Sequence, residues 1–356
     1  MCVECERYVE NGKRCRLRSS RTLVAEEGAD MEIRTPFYRR NLLDDAGRER
    51  YDRVIEAIHA REKHLPDDLT DAWTAVADHP ELFWATGTLE KVGDSDTWSI
   101  GYYSLADDEI AREQAEIDRV TRMLLDLAPS DGTEWDKALY VYETLAQLVD
   151  YEEDEEGIAT ERIASDGSWD HGRDWSRTIY GPLVHHRAVC TGYTKAAQYL
   201  LQRLGVECLH LSGARGTRHC WILARLDGAY SFMDVTWANA TSKERPGVRY
   251  VAHDYFGLTY ADLAELPHHE IPAVVPLPEE TTGGHDWFKR TDRFADTFDP
   301  AWVDGAVERA LASHAGYLEL KFANDDVRDQ AEAYLSGHHG LVCEQRRLGI
   351  LTAWLG

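Results

Sequence analysis

The dipeptide Asp227-Gly228 lies between two stretches, HCWILARL and AYSFMDVTW, that are rich in the apolar and aromatic residues of β-strands. An Asp-Gly pair between two such stretches is the strongest short-range signal for a hairpin with a two-residue turn. The turn fixes the register of both strands, because Leu226 must then lie opposite Ala229 and every further pair is determined. The hairpin therefore decides which side chains of the two strands meet.

The predicted register brings a histidine to a carboxylate. Trp221 lies opposite Asp234, and His219 shares their face because side chains alternate along a strand. His219 and Asp234 are then diagonal neighbours, with backbones about 7 Å apart, which is within side-chain reach. The same alternation turns Cys220 to the opposite face, where we expect a core cysteine and a poor nucleophile.

A second cysteine stands where a helix is expected to begin. In the stretch that opens AVCTGYTK, an apolar stripe from Ala196 to Leu204 predicts a helix that stops at Gly205. The thiol of Cys190 would lie in the first turn, near the positive end of the helix dipole and unpaired backbone N–H groups. We expect these to lower the pKa of Cys190 below the usual value of about 8.5.

Cys190, His219 and Asp234 are the residue types of a thiol acyltransferase. In this hypothesis the Cys190 thiolate attacks a carbonyl carbon, His219 takes the thiol proton and returns it to the leaving amine, and Asp234 orients the imidazole. The backbone N–H of Cys190 is the expected oxyanion donor. The alternative is a buried structural thiol beside a cross-strand polar pair that merely satisfies itself.

These motifs resemble those of the bacterial transglutaminase-like family. The family pattern is V-C-x-G-Y/F before a helix, then H-A-W-N, then D-x-T-W, and this chain has VCTGY, HCWI and DVTW in that order. DHPELFW at 78–84 and YFGLTYADLAE from Tyr255 are similar to segments that flank the core in bacterial members. The resemblance implies an α+β fold with a papain-like core, in which a catalytic helix packs on an antiparallel sheet, and a Cys–His–Asp triad.

The chain departs from the family pattern at Cys220 and Ile222, where the family has alanine and asparagine. The predicted register turns both away from the catalytic face, so we interpret them as packing changes. The resemblance also puts Tyr180 at an oxyanion-side position. We assign Tyr180, Trp221 and Trp237 to the substrate-binding wall, although such tryptophans more often pack or shield a thiolate from water.

The 356-residue chain is acidic, with 64 Asp and Glu against 39 Lys and Arg. This charge argues against nucleic acid or an anionic membrane as partner. No stretch approaches the roughly 18–20 apolar residues of a membrane helix, and residues 1–20 show no secretory signal. Seven irregularly spaced cysteines argue against a disulfide framework. We expect a cytoplasmic protein with a protein or peptide substrate, unless a leader precedes the sequence; the oligomeric state stays open.

Two sets of residues invite a metal interpretation. Cys2, Cys5 and Cys15 include a C-x-x-C spacing but have no clear fourth ligand, which structural zinc sites use. Histidine pairs with no carboxylate or thiol at a matching spacing occur at 185–186, 268–269 and 338–339. We predict a flexible leader for the cysteines, loop or surface positions for the histidines, and no metal. A zinc module built on the leader is the weaker alternative.

The predicted elements divide the chain into four regions. These are a flexible leader (1–36), a mostly helical N-terminal region (37–150), the transglutaminase-like core (151–265), and an extended connection with a small C-terminal α/β unit (266–356). The C-terminal unit is predicted from the strand YLELKF, the helix DDVRDQAEAYL and the strand GLVCEQ. A polar loop over 152–179 is either a binding wall or a surface excursion.

The leading hypothesis is thiol-dependent acyl transfer at amide bonds through a thioester on Cys190. With water as acceptor the protein is a peptidase or amidase, and with an amine it is a transglutaminase. The triad is the same for both. We favour hydrolysis, because water is always available and no sequence feature marks an amine site. The chemistry needs no metal or organic cofactor. The alternative is a catalytically silent scaffold that binds a peptide in the same cleft.

Overall fold

The computed structural model describes residues 35–62, 75–91, 98–152, 162–163, 169–170, 175–215, 217–271 and 276–355. The chain separates into two units, Met1–Ile33 and Arg34–Gly356, and all of these residues belong to the second. The predicted leader up to residue 34, with its three cysteines, lies outside the described residues, as does much of the 152–179 loop.

The second unit is a mixed α+β structure, and the predicted fold class is confirmed at that level. Its α-helices are α1 (Tyr38–Asn41), α2 (Asp45–His59), α3 (Asp107–Leu127), α4 (Glu134–Leu148), α5 (Cys190–Arg203), α6 (Val235–Ala238), α7 (Tyr260–Glu265), α8 (Trp287–Arg290), α9 (Pro300–Ala312) and α10 (Asp325–His338). Among the described residues, no helix combines the length and apolar character needed to cross a bilayer.

Most strands are short. They are β1 (Ala85–Lys91), β2 (Trp98–Tyr102), β3 (Asp150–Tyr151), β4 (Arg162–Ile163), β5 (Trp169–Asp170), β6 (Arg187–Ala188), β7 (Cys208–Arg215), β8 (Thr217–Leu226), β9 (Ala229–Met233), β10 (Asn239–Thr241), β11 (Arg249–Val251), β12 (Phe256–Leu258), β13 (Phe294–Ala295), β14 (Tyr317–Phe322), β15 (Val342–Gln345) and β16 (Ile350–Trp354). Single turns of 3-10 helix (Trp175–Arg177 and Gly283–His285) and of π-helix (Gly181–His185) connect them.

Helix α5 lies on a central antiparallel sheet with strand order β12-β9-β8-β7. Helix α4 packs on α5 as well, so α5 is enclosed and every residue over 196–202 is buried. A helix that is buried on most of its surface belongs to the centre of a domain rather than to its edge. Gly205, with a φ of 81°, follows the helix in the left-handed conformation that commonly ends one.

The β8–β9 hairpin has the predicted register over five pairs, from Leu226 opposite Ala229 to Ile222 opposite Met233. Asp227 and Gly228 both have positive φ, 48° and 90°, as a two-residue type I′ turn requires. The ladder then stops before the predicted pairs of Trp221 with Asp234 and of His219 with Thr236. The Asp234 amide instead donates to the carbonyl of Tyr255 at 2.9 Å, and residues 235–238 turn into α6.

The C-terminal residues form a second sheet with strand order β13-β14-β16-β15, on which α9 and α10 pack. The predicted strand, helix and strand are β14, α10 and β15, and all three are confirmed. The sequence pattern misses β16, which occupies the interior of the sheet between β14 and β15. All five residues of β16 are buried, so the strand has no polar alternation to reveal it.

A buried histidine joins the C-terminal sheet to helix α4. His253 lies between two carboxylates, with Nδ1 2.6 Å from Glu319 on β14 and Nε2 3.0 Å from Glu143 on α4. Its ring stacks on Trp287 at a centroid distance of 3.8 Å. Burial opposes a charge on this ring, but the two carboxylates outweigh burial and raise the pKa of His253 to about 9. The C-terminal sheet is thus held to α4 by an imidazolium.

We predict that this contact makes stability depend on alkaline pH. Because the pKa of His253 is raised from 6.5 in the unfolded chain to about 9, its contribution is complete below about pH 6.5 and is lost as the pH rises through 9. His253→Gln should lower the free energy of unfolding most at pH 6 and least near pH 10, measured by urea titration. His314→Asn, at an exposed position with a φ of 57° that asparagine tolerates, is the control. A difference between wild type and His253→Gln that stays constant with pH would contradict the assignment.

Candidate active site

Cys190 is the first residue of α5, as predicted, and is half-buried. The N-cap residue, Val189, has no side-chain hydrogen bond to the first turn of the helix, so backbone N–H groups there are not capped by it. Gly192 explains part of the motif, because a Cβ at that position would lie 2.1 Å from the carbonyl oxygen of Ser176. Glycine is needed for the helix to begin this close to the preceding turn.

The aromatic residue of the motif is an anchor. The hydroxyl of Tyr193 is buried and donates to the carbonyl of Val149 at 2.5 Å, just after the end of α4. Asn239, which follows α6, donates its amide to the same carbonyl at 2.6 Å. These two bonds fix the start of α5 relative to α4 and to the segment after Asp234. Gly192 and Tyr193 therefore serve to hold the start of α5, and with it Cys190, in place.

His219 and Asp234 meet as predicted, with Nε2 2.5 Å from Oδ2 and both side chains buried. The carboxylate can only accept, so the ring donates from Nε2 and Nδ1 is left to take a proton. Trp237 Nε1 also lies 2.9 Å from Nε2, but the charge-assisted contact with the carboxylate is shorter and stronger. Burial opposes a charge on the ring, yet Asp234 outweighs it and raises the pKa of His219.

Asp234 is a hub with three donors. Its Oδ2 accepts from His219 and, at 2.9 Å, from Nε2 of His269, while Oδ1 accepts from the backbone N–H of Thr236 at 3.0 Å and so caps α6. Burial by itself would raise the pKa of Asp234, but the two imidazoles lower it below its usual value. The carboxylate is therefore held ionised although its side chain is buried.

His269 is the residue that the sequence analysis missed. It lies in a loop, which is one of the two predicted positions, but it is 4% exposed and so is not at the surface. Its Nδ1 lies 2.7 Å from the carbonyl oxygen of Pro267, and its Nε2 lies 2.9 Å from Asp234 Oδ2. Both oxygens only accept, so a ring with hydrogen on each nitrogen makes both contacts at once. Periodicity cannot find this partner, because it lies in an irregular connection after α7.

The three residues assigned to the substrate wall occupy different positions. Trp221 is 1% exposed and packs under the site, with its ring 5.0 Å from that of His269. Trp237 is 44% exposed and lies at the surface above His219, stacked on Tyr255. Tyr180 is buried, and its hydroxyl donates to Glu116 of α3 at 2.5 Å. Of the three tyrosine and tryptophan side chains, only that of Trp237 combines exposure with contact to the His219 imidazole.

A second thiol acts on the pKa of the Cys190 thiol. Cys220 lies on the side of β8 away from His219, as predicted, but that side faces the start of α5, where Thr191 Oγ1 is 3.5 Å from Cys220 Sγ. A hydrogen bond to Cys220 raises the pKa of Cys190, and burial adds to the effect. The same bond lowers the pKa of Cys220 against the effect of burial, and His210 lowers it further. The expectation of a lowered pKa at Cys190 is therefore wrong, whereas Cys220 is a buried core cysteine, as predicted.

A cavity of about 130 Å³ lies between α5 and the residues over 76–85. Three of its lining residues have a buried side-chain atom without a hydrogen-bond partner in the described part of the chain: Nε2 of His79, Oε1 of Gln198 and Nε2 of His210. Buried polar atoms are rarely left unpaired, so the cavity suits a small polar occupant such as water or an amide group.

Two groups of described residues have the donor set of a transition-metal site. One is His219, Asp234 and His269, whose ligand atoms lie within 4.8 Å of one another. The hydrogen bonds described above already account for each of these atoms. The other is Asp304, His338 and His339 in the C-terminal unit. Two of the three histidine pairs thus contribute a residue that meets a carboxylate in space, which the spacing in the sequence does not reveal.

Comparisons with known proteins give partial similarities. No family model matches the sequence, and no curated protein matches it. Among solved structures, the chain is similar to a TGase crystal structure, with 14% identity and a TM-score of 0.30, over 45% of this chain and 46% of that one. It is also similar to a candidate cysteine protease from Cytophaga hutchinsonii, with 14% identity and a TM-score of 0.27, over 38% and 44% of the two chains. The chain spans less than half the length of either structure that it matches, and the site described above is defined by its own geometry.

Proposed function

We propose that the chain is a thiol-dependent acyltransferase that acts on amide bonds of proteins or peptides, with water favoured over an amine as acceptor. The observation that carries the proposal is the buried chain of contacts from His269 through Asp234 to His219. A general base must keep one tautomer and one orientation, and the contacts of Asp234 with His219 and His269 would hold the His219 imidazole in this way.

The first step of the proposed reaction transfers the thiol proton of Cys190 to His219. Nδ1 of His219 takes that proton, the sulfur attacks the carbonyl carbon of the amide, and a tetrahedral oxyanion forms. First-turn N–H groups of α5, which Val189 does not cap, are suited to stabilise that oxyanion. His219 then returns the proton to the amide nitrogen, the carbon–nitrogen bond breaks, and the acyl group stays on sulfur as a thioester.

The second step releases the acyl group. His219 takes a proton from water, the oxygen attacks the thioester carbon, and the carbon–sulfur bond breaks to give a carboxylic acid and the free thiol. An amine in place of water would give a new amide by the same sequence. Trp237 stands at the exposed edge of His219, where its indole would contact whichever acceptor approaches.

One observation favours a second candidate, a non-catalytic peptide-binding scaffold. Within the described residues Cys190 has Cys220 as its thiol partner, and no hydrogen bond joins Cys190 to His219. Catalysis therefore requires the Cys190 side chain to leave Cys220, which a rotation about its single χ1 bond can begin. The scaffold needs no such rotation, so the two candidates differ in the reactivity of one thiol.

The experiment that separates the candidates measures acyl-enzyme chemistry directly. Purified protein is incubated with casein and a fluorescent primary amine, and both amine incorporation and release of free carboxyl groups are followed. Intact-mass analysis after acid quenching detects a thioester on the protein. New carboxyl groups with a Cys190 adduct support hydrolysis, and incorporated amine supports transfer. Neither product, with Cys190 unreactive toward iodoacetamide at all pH values up to 9, supports the scaffold.

We predict opposite results for the two cysteines. Cys190→Ala should abolish the thioester and reduce turnover by about a thousandfold or more, because no other group supplies the nucleophile. Cys220→Ala should keep turnover and shift alkylation of Cys190 by iodoacetamide to lower pH, because the bond that raises the Cys190 pKa is gone. Cys343→Ala, at a half-buried cysteine of the C-terminal sheet, is the control. Full turnover in Cys190→Ala would overturn the triad.

We predict that His269 acts as a positioning residue. His269→Ala should lower kcat by about tenfold with little change in KM, because Asp234 and the imidazole it orients lose one support. The carboxylate charge is then shared with His219 alone, so the pKa of His219 rises and the acid limb of the kcat/KM profile moves to higher pH. His268→Asn, at the neighbouring residue with a φ of 68°, is the control. An unchanged pH profile in His269→Ala, with the fold intact, would rule out this role.

Asp234→Asn should be more damaging than the loss of His269. The asparagine keeps the size of the side chain but removes the charge that raises the pKa of His219. It can also present a donor to Nε2, which favours the wrong tautomer of the ring. We expect kcat to fall by about a thousandfold or more, measured in the casein assay with circular dichroism to check the fold. A fall of less than tenfold would show that the carboxylate is not needed for orientation.

A further inference from the structure

We propose that Asp304, His338 and His339 form a binding site for a first-row divalent transition-metal ion, with zinc as the representative. Asp304 lies on α9, His338 is the last residue of α10, and His339 is the residue that caps it. One ligand atom from each residue lies within 4.8 Å of the other two. The site is in the C-terminal unit and does not depend on the proposed acyl transfer.

The donor set selects the class of ion. Two imidazoles and one carboxylate suit zinc, nickel or copper, whereas magnesium and calcium prefer oxygen ligands throughout. Zinc bonds of about 2.0–2.1 Å place tetrahedral ligand atoms roughly 3.3 Å apart. Side-chain rotations that move the ligand atoms by about an ångström would bring them to that spacing. His338 is exposed and the other two are half-buried, so such movements are open to them and an ion can enter.

Surrounding contacts already orient the carboxylate. The hydroxyl of Tyr334 donates to Asp304 Oδ2 at 3.2 Å, which leaves Oδ1 turned toward His339 Nε2 at 2.7 Å. The same tyrosine ring stacks on His338 at a centroid distance of 4.8 Å and an angle of 13°. Metal ligands are commonly held by such neighbours, which fix their orientation before the ion binds. An ion would replace the hydrogen between His339 and Asp304 without disturbing Tyr334.

The position at the end of α10 favours a cation. The last carbonyl groups of a helix carry a partial negative charge, and both histidines lie in that last turn. A bound ion would also join α10 to α9, which pack on each other and on the same sheet. The expected consequence is stabilisation of the C-terminal unit when the ion is present, because an ion that binds the folded chain alone shifts the unfolding equilibrium.

The test uses zinc chloride and the full chain, with a readout that identifies the residues. Diethyl pyrocarbonate modifies accessible imidazoles, and peptide mass spectrometry gives the rate at each histidine. We expect micromolar zinc to slow modification of His338 and His339 at least fivefold. Asp304→Asn should weaken zinc binding at this site by about tenfold or more, as loss of a ligand or of its support does. Asp326→Asn, which removes an exposed carboxylate from the first turn of α10, is the matched control.

A second variant covers the case in which Asp304→Asn disturbs the helix pair. His338→Ala leaves the bond between Asp304 and His339 in place and should still abolish protection of His339 by zinc. The readout at these two histidines separates this site from the cysteines near the N-terminus and from His219 and His269. Equal protection in Asp304→Asn and Asp326→Asn, or no protection of His338 and His339 in wild type, would overturn the proposal.

Discussion

The buried carboxylate of Asp234 is the constraint on which the site depends. It accepts hydrogen bonds from His219, His269 and the amide of Thr236, so it ties together the start of β8, the beginning of α6 and the connection after α7. A buried carboxylate without partners would take up a proton or destabilise the fold. Because all three donors converge on Asp234, the carboxylate keeps its charge, and movement of any one segment would break a hydrogen bond to it. The contacts that orient the His219 imidazole therefore also hold the three segments together.

Cys220 and the start of α5 have opposite effects on the pKa of the Cys190 thiol. Cys220 holds the Cys190 thiol by a bond that raises the Cys190 pKa, while the helix start favours the thiolate. A raised thiol pKa lowers the fraction of thiolate, which is the species that is alkylated and oxidised. The Cys220 thiol thus has an effect on the pKa of Cys190 that a methyl group would not have.

The sequence predicts the local part of the site better than the distant part. The turn at Asp227 and Gly228 fixes the register as far as the pair Ile222 and Met233, and His219 meets Asp234 just beyond the end of that ladder. His269 reaches the same carboxylate from an irregular connection, for which periodicity and turn chemistry give no register. The strand β16 was missed for a related reason, since a fully buried strand between two others has no alternating pattern. The contact of Cys190 with Cys220 depends on how α5 lies across the sheet, which packing decides.

Successive side chains of β8 point to opposite faces of the sheet. His219 and Cys220 are adjacent in sequence and therefore face opposite sides of the strand, one toward Asp234 and the other toward the start of α5. Under the proposed function, Cys190 at the start of that helix is the nucleophile and His219 is the base. The strand that carries the proposed base therefore also carries Cys220, which raises the pKa of the Cys190 thiol.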